Sequence, residues 1–461
     1  MIDFTHIGDF SWRYFFYNHY LKFFHNHLYY RKLHVINRRN IPPKGEPVLV
    51  IYNHQNGLND PLNILYMFDD FRQPVFIARG DIFKKEKVAK ILRFLKILPT
   101  FRSRDGGVSD VKYNMTSFNI AAKVLNDGGT FVIAPEAQHQ QGRYLGYFKK
   151  GFPRIAFAAE EKAGFQLNLQ ILPVNIHYKD YYNARSEVVL TVGEPFGCAE
   201  FAESFKKDPN IAYTLLNEKA RARLKAITPD IEAYEDYYQE IDLLRRMWVK
   251  PRLRQKGLST SYFPNFPPEE VKLLQEISTM QSERPERFAQ LMQTSGEYSD
   301  ELSRLNLRDW IIGRKVSFPK VLLYTVAAVL FFPFFLLGLI NNIIPFTIPT
   351  VLSRKIKDRQ LHASFHFVGA LVSFTLFYLL VFVILWIATK SVLWALGYLL
   401  LMFLSFFAFY HYKRGLIKLK ALWRYYKLRR AGKTRRAEEL KTELVNAVFI
   451  EGEVVGYGIT G

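Results

Sequence analysis

Residues 47–60 read PVLVIYNHQNGLND. Pro47 to Tyr52 is an unbroken apolar run rich in β-branched residues that opens directly into a polar turn, which is the pattern of a buried strand. His54 follows at the carboxyl end of that strand and Gly57 permits a tight turn. Asp60-Pro61 has the form of a helix start, an N-cap acid with proline at the first helical position. The alternation continues downstream. QPVFIAR (73–79), TFVIAP (130–135) and LQILPVNIHY (169–178) read as further strands, and the stretch from Asp110 reads as a helix closed by glycine. Short strands separated by amphipathic stretches predict an α/β domain, a mixed sheet flanked by helices, over residues 35–230.

The chain has 461 residues, a formal net charge of +21, 49% hydrophobic and 16% aromatic residues. That composition excludes global disorder. A single cysteine, Cys198, excludes a disulfide framework; it reads as a small buried residue. Three runs lack Asp, Glu, Lys and Arg altogether: 321–353, 367–389 and 391–410. Each reaches the roughly 20 residues that cross a bilayer core as a helix. A helical membrane region is therefore expected over 316–412, after a charged helical connecting region at 231–315 and before a basic tail at 413–461. Residues 1–34 are expected to hold an amphipathic interfacial helix, because WRYFFYNHYLKFFHNHLYY (12–30) mixes ten aromatics with basic residues. The positive charge collects beside the apolar runs and no recognition motif for nucleic acid occurs, so membrane phospholipids and not nucleic acid are the expected partners.

The turn after the first strand carries the candidate chemistry. An imidazole at a strand end, a glycine and a carboxylate a few residues on can fold back so that Asp60 accepts the Nδ1 proton of His54 and Nε2 serves as a base. Such a pair suits acyl transfer to an alcohol, which must lose its proton as it attacks. The alternative is that Asp60 is only a helix cap and His54, a lone histidine after a strand, is structural.

Further blocks follow in order: Pro99-Thr100-Phe101-Arg102-Ser103-Arg104, Ala134-Pro135-Glu136-Ala137, Phe148-Lys149-Lys150-Gly151 and Leu172-Pro173-Val174. With the His54 turn, these blocks resemble those of the glycerolipid acyltransferase family, the glycerol-3-phosphate and 1-acylglycerol-3-phosphate acyltransferases. The resemblance implies His54 as general base and Asp60 as its orienting partner. It implies acceptor binding by Arg102 and Glu136, with Arg104 the competing arginine and Lys150-Gly151 the basic-glycine element. Five residues separate His54 from Asp60 where the family pattern has four, which leaves Asn59 at the usual spacing. Ala134 and Ala137 stand where the family has Phe and Gly.

The expected function is a membrane-bound enzyme of phospholipid biosynthesis that moves a fatty acyl group from acyl-CoA or an acyl carrier protein thioester onto glycerol 3-phosphate or 1-acylglycerol 3-phosphate. Alternatives are another lysolipid or an amino acid lipid as acceptor, or an inactive lipid-binding protein of the same fold. No glycine-rich nucleotide loop and no metal-spaced cluster occurs, so neither a bound cofactor nor a metal is expected. The eleven Lys or Arg between Lys413 and Arg436, with no acid among them, place the tail in the cytoplasm by the positive-inside rule, and the catalytic domain with it at the cytoplasmic membrane. An even number of crossings then makes 321–353 a re-entrant segment, with Pro333, Asn341-Asn342, Pro345 and Pro349 as its breaking residues, and leaves the other two runs as transmembrane helices.

Overall fold

The computed structural model describes residues 3–101, 108–137, 142–231, 236–447, 449–450 and 453–454. The chain divides into two compact units, one comprising Met1–Glu232 with Ser261–Val271 and the other Ala233–Thr260 with Lys272–Gly461.

The first unit is built on a seven-stranded sheet. Its strands are β1 (Lys32–Ile36), β2 (Val48–Tyr52), β3 (Val75–Arg79), β4 (Ile97–Thr100), β5 (Thr130–Ile133), β6 (Gln170–Tyr178) and β7 (Glu187–Val192), in the spatial order β1-β7-β6-β2-β5-β3-β4. The four strands expected from the apolar runs form β2, β3, β5 and β6. β2 to β6 are mutually parallel, β7 runs antiparallel to β6, and β1 pairs parallel to β7. The sheet is thus mixed. β2 lies at its centre, with Val48, Leu49, Val50 and Ile51 fully buried, which is why its sequence shows no polar alternation.

Helices α1 (Trp12–Phe23), α2 (Asn59–Met67), α3 (Glu86–Phe94), α4 (Val108–Asn126), α5 (Gly151–Lys162), α6 (Ala202–Lys207) and α7 (Pro209–Lys225) accompany the sheet. Leu49, Ile51 and Phe131 from the strands join Phe152, Ile155 and Phe157 of α5 and Leu216 of α7 in one core. Cys198 belongs to the same core, and burial pushes its thiol up to about 12, the behaviour of an inert packing residue. α1 has two different faces. Tyr14, Asn18 and Leu21 are buried, whereas Trp12, Phe16 and Phe23 are more than half exposed. The preceding segment is held by buried Lys96, whose amine donates to the carbonyls of Ile7 and Asp9 at 2.9 and 2.5 Å.

The second unit holds α8 (Tyr238–Gln255), α10 (Pro285–Leu305), α11 (Phe318–Arg354), α12 (His362–Thr389), α13 (Val392–Arg430) and α14 (Arg435–Asn446); α9 (Phe266–Glu283) begins in the first unit and ends in the second. Trp248 of α8 donates to the carbonyl of Leu444 at 2.7 Å, and α10 packs on both α8 and α14. α11, α12 and α13 are long and apolar enough to cross a membrane. α12 and α13 are antiparallel across the turn at Lys390, with Phe374 and Phe406 in ring contact at 5.3 Å. The first part of α11 runs antiparallel to α13: Thr325 bonds Trp423 and Asn342 bonds the carbonyl of Met402. Beyond Asn342 the contacts continue onto α12 in the opposite sense, Asn342 with Tyr378, Pro345 with Ser373 and Pro349 with Gly369. Residues 321–353 therefore lie within one helix whose course bends at Asn341-Asn342, the region where the prolines cluster.

The C-terminal end of α4 makes a specific demand on sequence. Gly128 has φ +72°, its N–H donates to Leu125 O, and the Gly129 N–H reaches Val124 O, the bond pattern of a Schellman cap. A Cβ on Gly128 would stand 2.4 Å from the carbonyl oxygen of Gly45. Gly128→Ala should cost about 1–3 kcal/mol through strain and clash together, read as a lowered unfolding temperature of the purified protein. An unchanged temperature would contradict the cap assignment.

Candidate active site

Five parallel strands end at one edge of the sheet, and the candidate site is built on that edge. β2 is flanked by β5 and β6, with Ile51 opposite both Ile133 and Pro173. The turn after β2 therefore lies between the segment following β5 and the end of β6, in the position where open α/β sheets place their ligands. Asn53 locks this turn to β6: its side chain donates to Ile176 O at 3.1 Å and accepts from Ile176 N at 2.6 Å.

His54 Nδ1 lies 2.8 Å from Asp60 Oδ2. The same oxygen accepts from the N–H groups of Gln55 at 2.7 Å and Asn56 at 2.6 Å, and Oδ1 accepts from the Tyr178 hydroxyl at 2.6 Å. Asp60 is fully buried and the His54 side chain is 19% exposed. The helix-cap reading of Asp60 is thereby corrected. α2 begins at Asn59, Leu58 holds the cap position, and the Asp60 carboxylate turns back to the two amides of the preceding loop. The extra residue between His54 and Asp60 is absorbed by the loop, where Gly57 takes φ +42°. Asn59, at the usual spacing, is buried and donates to Asn56 Oδ1.

Glu136, on the turn after β5, is 1% exposed. Its carboxylate accepts from His54 N at 3.1 Å and Gly146 N at 2.9 Å. Ala137, standing where the resembled family has Gly, has φ +57°, a conformation that explains a preference for glycine at this position. Lys150 is exposed and its amine donates to Asn210 Oδ1 at 3.3 Å. Gly151 is the first residue of α5, and a Cβ there would meet nothing within 4 Å. Arg102 and Arg104 lie outside the described residues. The chain leaves β4 at Thr100-Phe101 on the same sheet edge as His54, three strands away, or about 14 Å at ordinary strand spacing.

Residues at the end of β6 that the motifs do not include complete the cluster. Tyr178 bonds Asp60 and also accepts from Asn63 at 2.8 Å; burial and then the Asp60 charge push its phenol well above the ordinary tyrosine range, so it stays a donor. Tyr181 bonds Gln55 Oε1 at 2.5 Å. Arg143 lies over the Tyr181 ring and donates to Tyr178 O at 2.9 Å, with His177 Nδ1 3.2 Å from its other nitrogen. His177 in turn approaches Glu270 at 3.4 Å, both buried. The one signal for this cluster in the sequence is the density of aromatic and polar side chains in HYKDYY immediately after an apolar strand.

With Nδ1 directed at Asp60, the acceptor lone pair of the neutral ring resides on Nε2. The arrangement is a partly exposed imidazole backed by a buried, fully bonded carboxylate, which can take up a proton at Nε2 and stabilise the resulting imidazolium.

Residues 32–177 match the family model described as Acyltransferase. No curated protein matches the chain. Among solved structures the chain is similar to the crystal structure of the 1-acyl-sn-glycerophosphate (LPA) acyltransferase PlsC from Thermotoga maritima, at 21% identity and a TM-score of 0.29, over 48% of this chain and 77% of that one. The segment matched by the acyltransferase model, residues 32–177, carries the sheet from β1 into β6 and both members of the His54–Asp60 pair.

Proposed function

We propose that the enzyme transfers a fatty acyl group from acyl-CoA or an acyl carrier protein to a hydroxyl of glycerol 3-phosphate or 1-acylglycerol 3-phosphate, with His54 as general base. The observation that carries this reading is the 2.8 Å contact between His54 Nδ1 and a buried Asp60 inside the segment that matches the acyltransferase family. The acceptor hydroxyl oxygen attacks the thioester carbonyl carbon while its proton passes to Nε2 of His54. As the tetrahedral intermediate collapses, the C–S bond breaks and the imidazolium returns the proton to the departing sulfur. Asp60 holds the ring and stabilises its charged form. Glu136 is assigned to positioning His54 and not to touching the acceptor, because its carboxylate is buried against two amides and would repel a phosphate. Arg102 is assigned to the acceptor phosphate, with Arg104 as the alternative and Lys150-Gly151 contributing at the start of α5.

His54→Ala should lower acyl transfer by roughly 10²–10⁴-fold, measured with detergent-solubilised protein, acyl thioester and a panel of acceptors, with products identified by mass spectrometry. Asp60→Asn should be similarly severe, since an amide cannot stabilise the imidazolium. Unchanged turnover in either variant would eliminate the mechanism. Arg102→Ala should raise the KM for a phosphate-bearing acceptor more than that for the thioester, because a guanidinium pairs with phosphate oxygens; Arg102→Lys should recover part of the loss. An equal effect on both substrates, or an acceptor effect confined to Arg104→Ala, would overturn that assignment.

The proposed orientation places the acyltransferase domain and the basic tail in the cytoplasm, the exposed aromatic face of α1 at the headgroup level, 321–353 entering and returning on the cytoplasmic side, and α12–α13 as a full hairpin. Support comes from the bend of α11 at Asn341-Asn342 and from the basic residues at both its ends, Lys315 and Lys320 before and Arg354, Lys355 and Lys357 after. Single cysteines at Lys357, Lys390 and Arg430 in a Cys198→Ser background, treated from outside with an impermeant maleimide, should react only at Lys390. Labelling at Lys357 would reject the return of α11.

A further inference from the structure

The C-terminal unit holds a cavity of about 760 Å³ between the first half of α11 and the second half of α13. That size is within the range of lipid and small-molecule sites. Its two ends differ in chemistry. Arg314, Lys315 and Lys320 line one end with Lys418 further in, and Phe331 and Phe334 line the other together with His411 and Tyr412 of α13. Because this part of α11 runs antiparallel to α13, Lys418 stands between Trp423, which bonds Thr325, and Tyr412, which bonds the Ala328 carbonyl, about one to two helical turns further in than Lys320. Among the described residues no carboxylate forms an ion pair with any of the four cations. Arg314 is held over the Trp310 ring at 5.1 Å, and the same two helices are joined by Trp423 donating to Thr325 Oγ1 at 2.9 Å.

Lys320 marks the start of the charge-free run and Phe334 lies 14 residues further along the helix, about 21 Å at helical rise. A bilayer core is about 30 Å thick, so the cavity runs from headgroup depth through one leaflet. Its polarity along that path, cations first and a mainly aromatic and aliphatic wall after, follows that of a phospholipid monolayer. Basic pockets between membrane helices hold anionic headgroups through this arrangement.

We propose that the cavity binds one anionic glycerophospholipid. Its phosphate lies among Arg314, Lys315, Lys320 and Lys418, and an acyl chain follows the α11–α13 seam toward Phe331 and Phe334. The site uses no residue of the His54 cluster and does not rest on the assignment of that cluster.

Native mass spectrometry of the full chain, purified in detergent and titrated with dioleoyl phosphatidylglycerol or dioleoyl phosphatidylcholine, tests the proposal. One equivalent of phosphatidylglycerol should bind at least tenfold more tightly than phosphatidylcholine. The Lys320→Gln/Lys418→Gln variant should lose roughly tenfold or more of that affinity, the scale of two basic side chains at a membrane surface. Ala328→Trp keeps every charge and fills the apolar end, and should weaken both lipids. Circular dichroism and gel filtration establish that each variant is folded. Equal affinity for the two lipids, unchanged binding in either folded variant, or displacement of the lipid by an equal concentration of free glycerol phosphate would overturn the proposal.

Discussion

The Asp60 carboxylate is the constraint on which the N-terminal unit depends. A fully buried carboxylate is costly to desolvate, and that cost is offset here because all four donors arrive together: His54 Nδ1, two consecutive amides of the loop and the Tyr178 hydroxyl. Those donors come from β2's outgoing turn and from the end of β6, so the bonding is satisfied only when the two strands are neighbours. Glu136 repeats the device from the other flank, tying the β5 turn to the backbone of His54. The imidazole is thus oriented by one buried acid and its main chain by another. Positional precision of this kind comes from the supporting residues rather than from the histidine itself.

Much of this could be read from the chain because the signals are local. β2, β5 and β6 are central strands whose burial on both faces leaves continuous apolar runs, and β3, one strand from the edge, is buried at Val75 and Phe76. β1 (KLHVI) and β4 (ILPT) lie at the sheet edges, where polar residues and proline are tolerated, and their sequences do not announce a strand. The nearness of His54 and Asp60 is a matter of six positions and a glycine. Tyr178 is different. It lies 118 residues beyond Asp60, and only the parallel pairing of β2 with β6 brings the two together. The direction of the Glu136 carboxylate was equally inaccessible, since a turn following a strand can present a side chain to the cleft or to its own backbone.

The reading of Asp60 as a helix cap failed for an instructive reason. Asp-Pro at a helix start satisfies every local rule for an N-cap, yet the loop before it has its own unsatisfied amides at Gln55 and Asn56. With Gly57 at positive φ the loop closes over the first helical turn, and the carboxylate is nearer to those amides than to the helix's own. Tertiary demand outweighed the local preference.

In the C-terminal unit the same accounting of polar groups explains how prolines persist inside a helix expected to lie in lipid. Proline has no N–H, so Pro349 leaves the carbonyl four residues earlier, that of Pro345, without its helical donor. Ser373 of α12 supplies the missing bond at 2.9 Å. The Asn342 side chain, at the bend, donates to Gly338 O and to Met402 O and accepts from the Tyr378 hydroxyl, while Asn341 accepts from Tyr398. Close packing permits this: a Cβ on Gly338 would stand 2.2 Å from the carbonyl oxygen of Ser405, so only glycine allows α11 and α13 to approach so nearly. In hydrocarbon an unsatisfied amide or carbonyl has no water to turn to. The bend of α11 is therefore inseparable from its neighbours, because the groups that it frees are bonded by residues of α12 and α13.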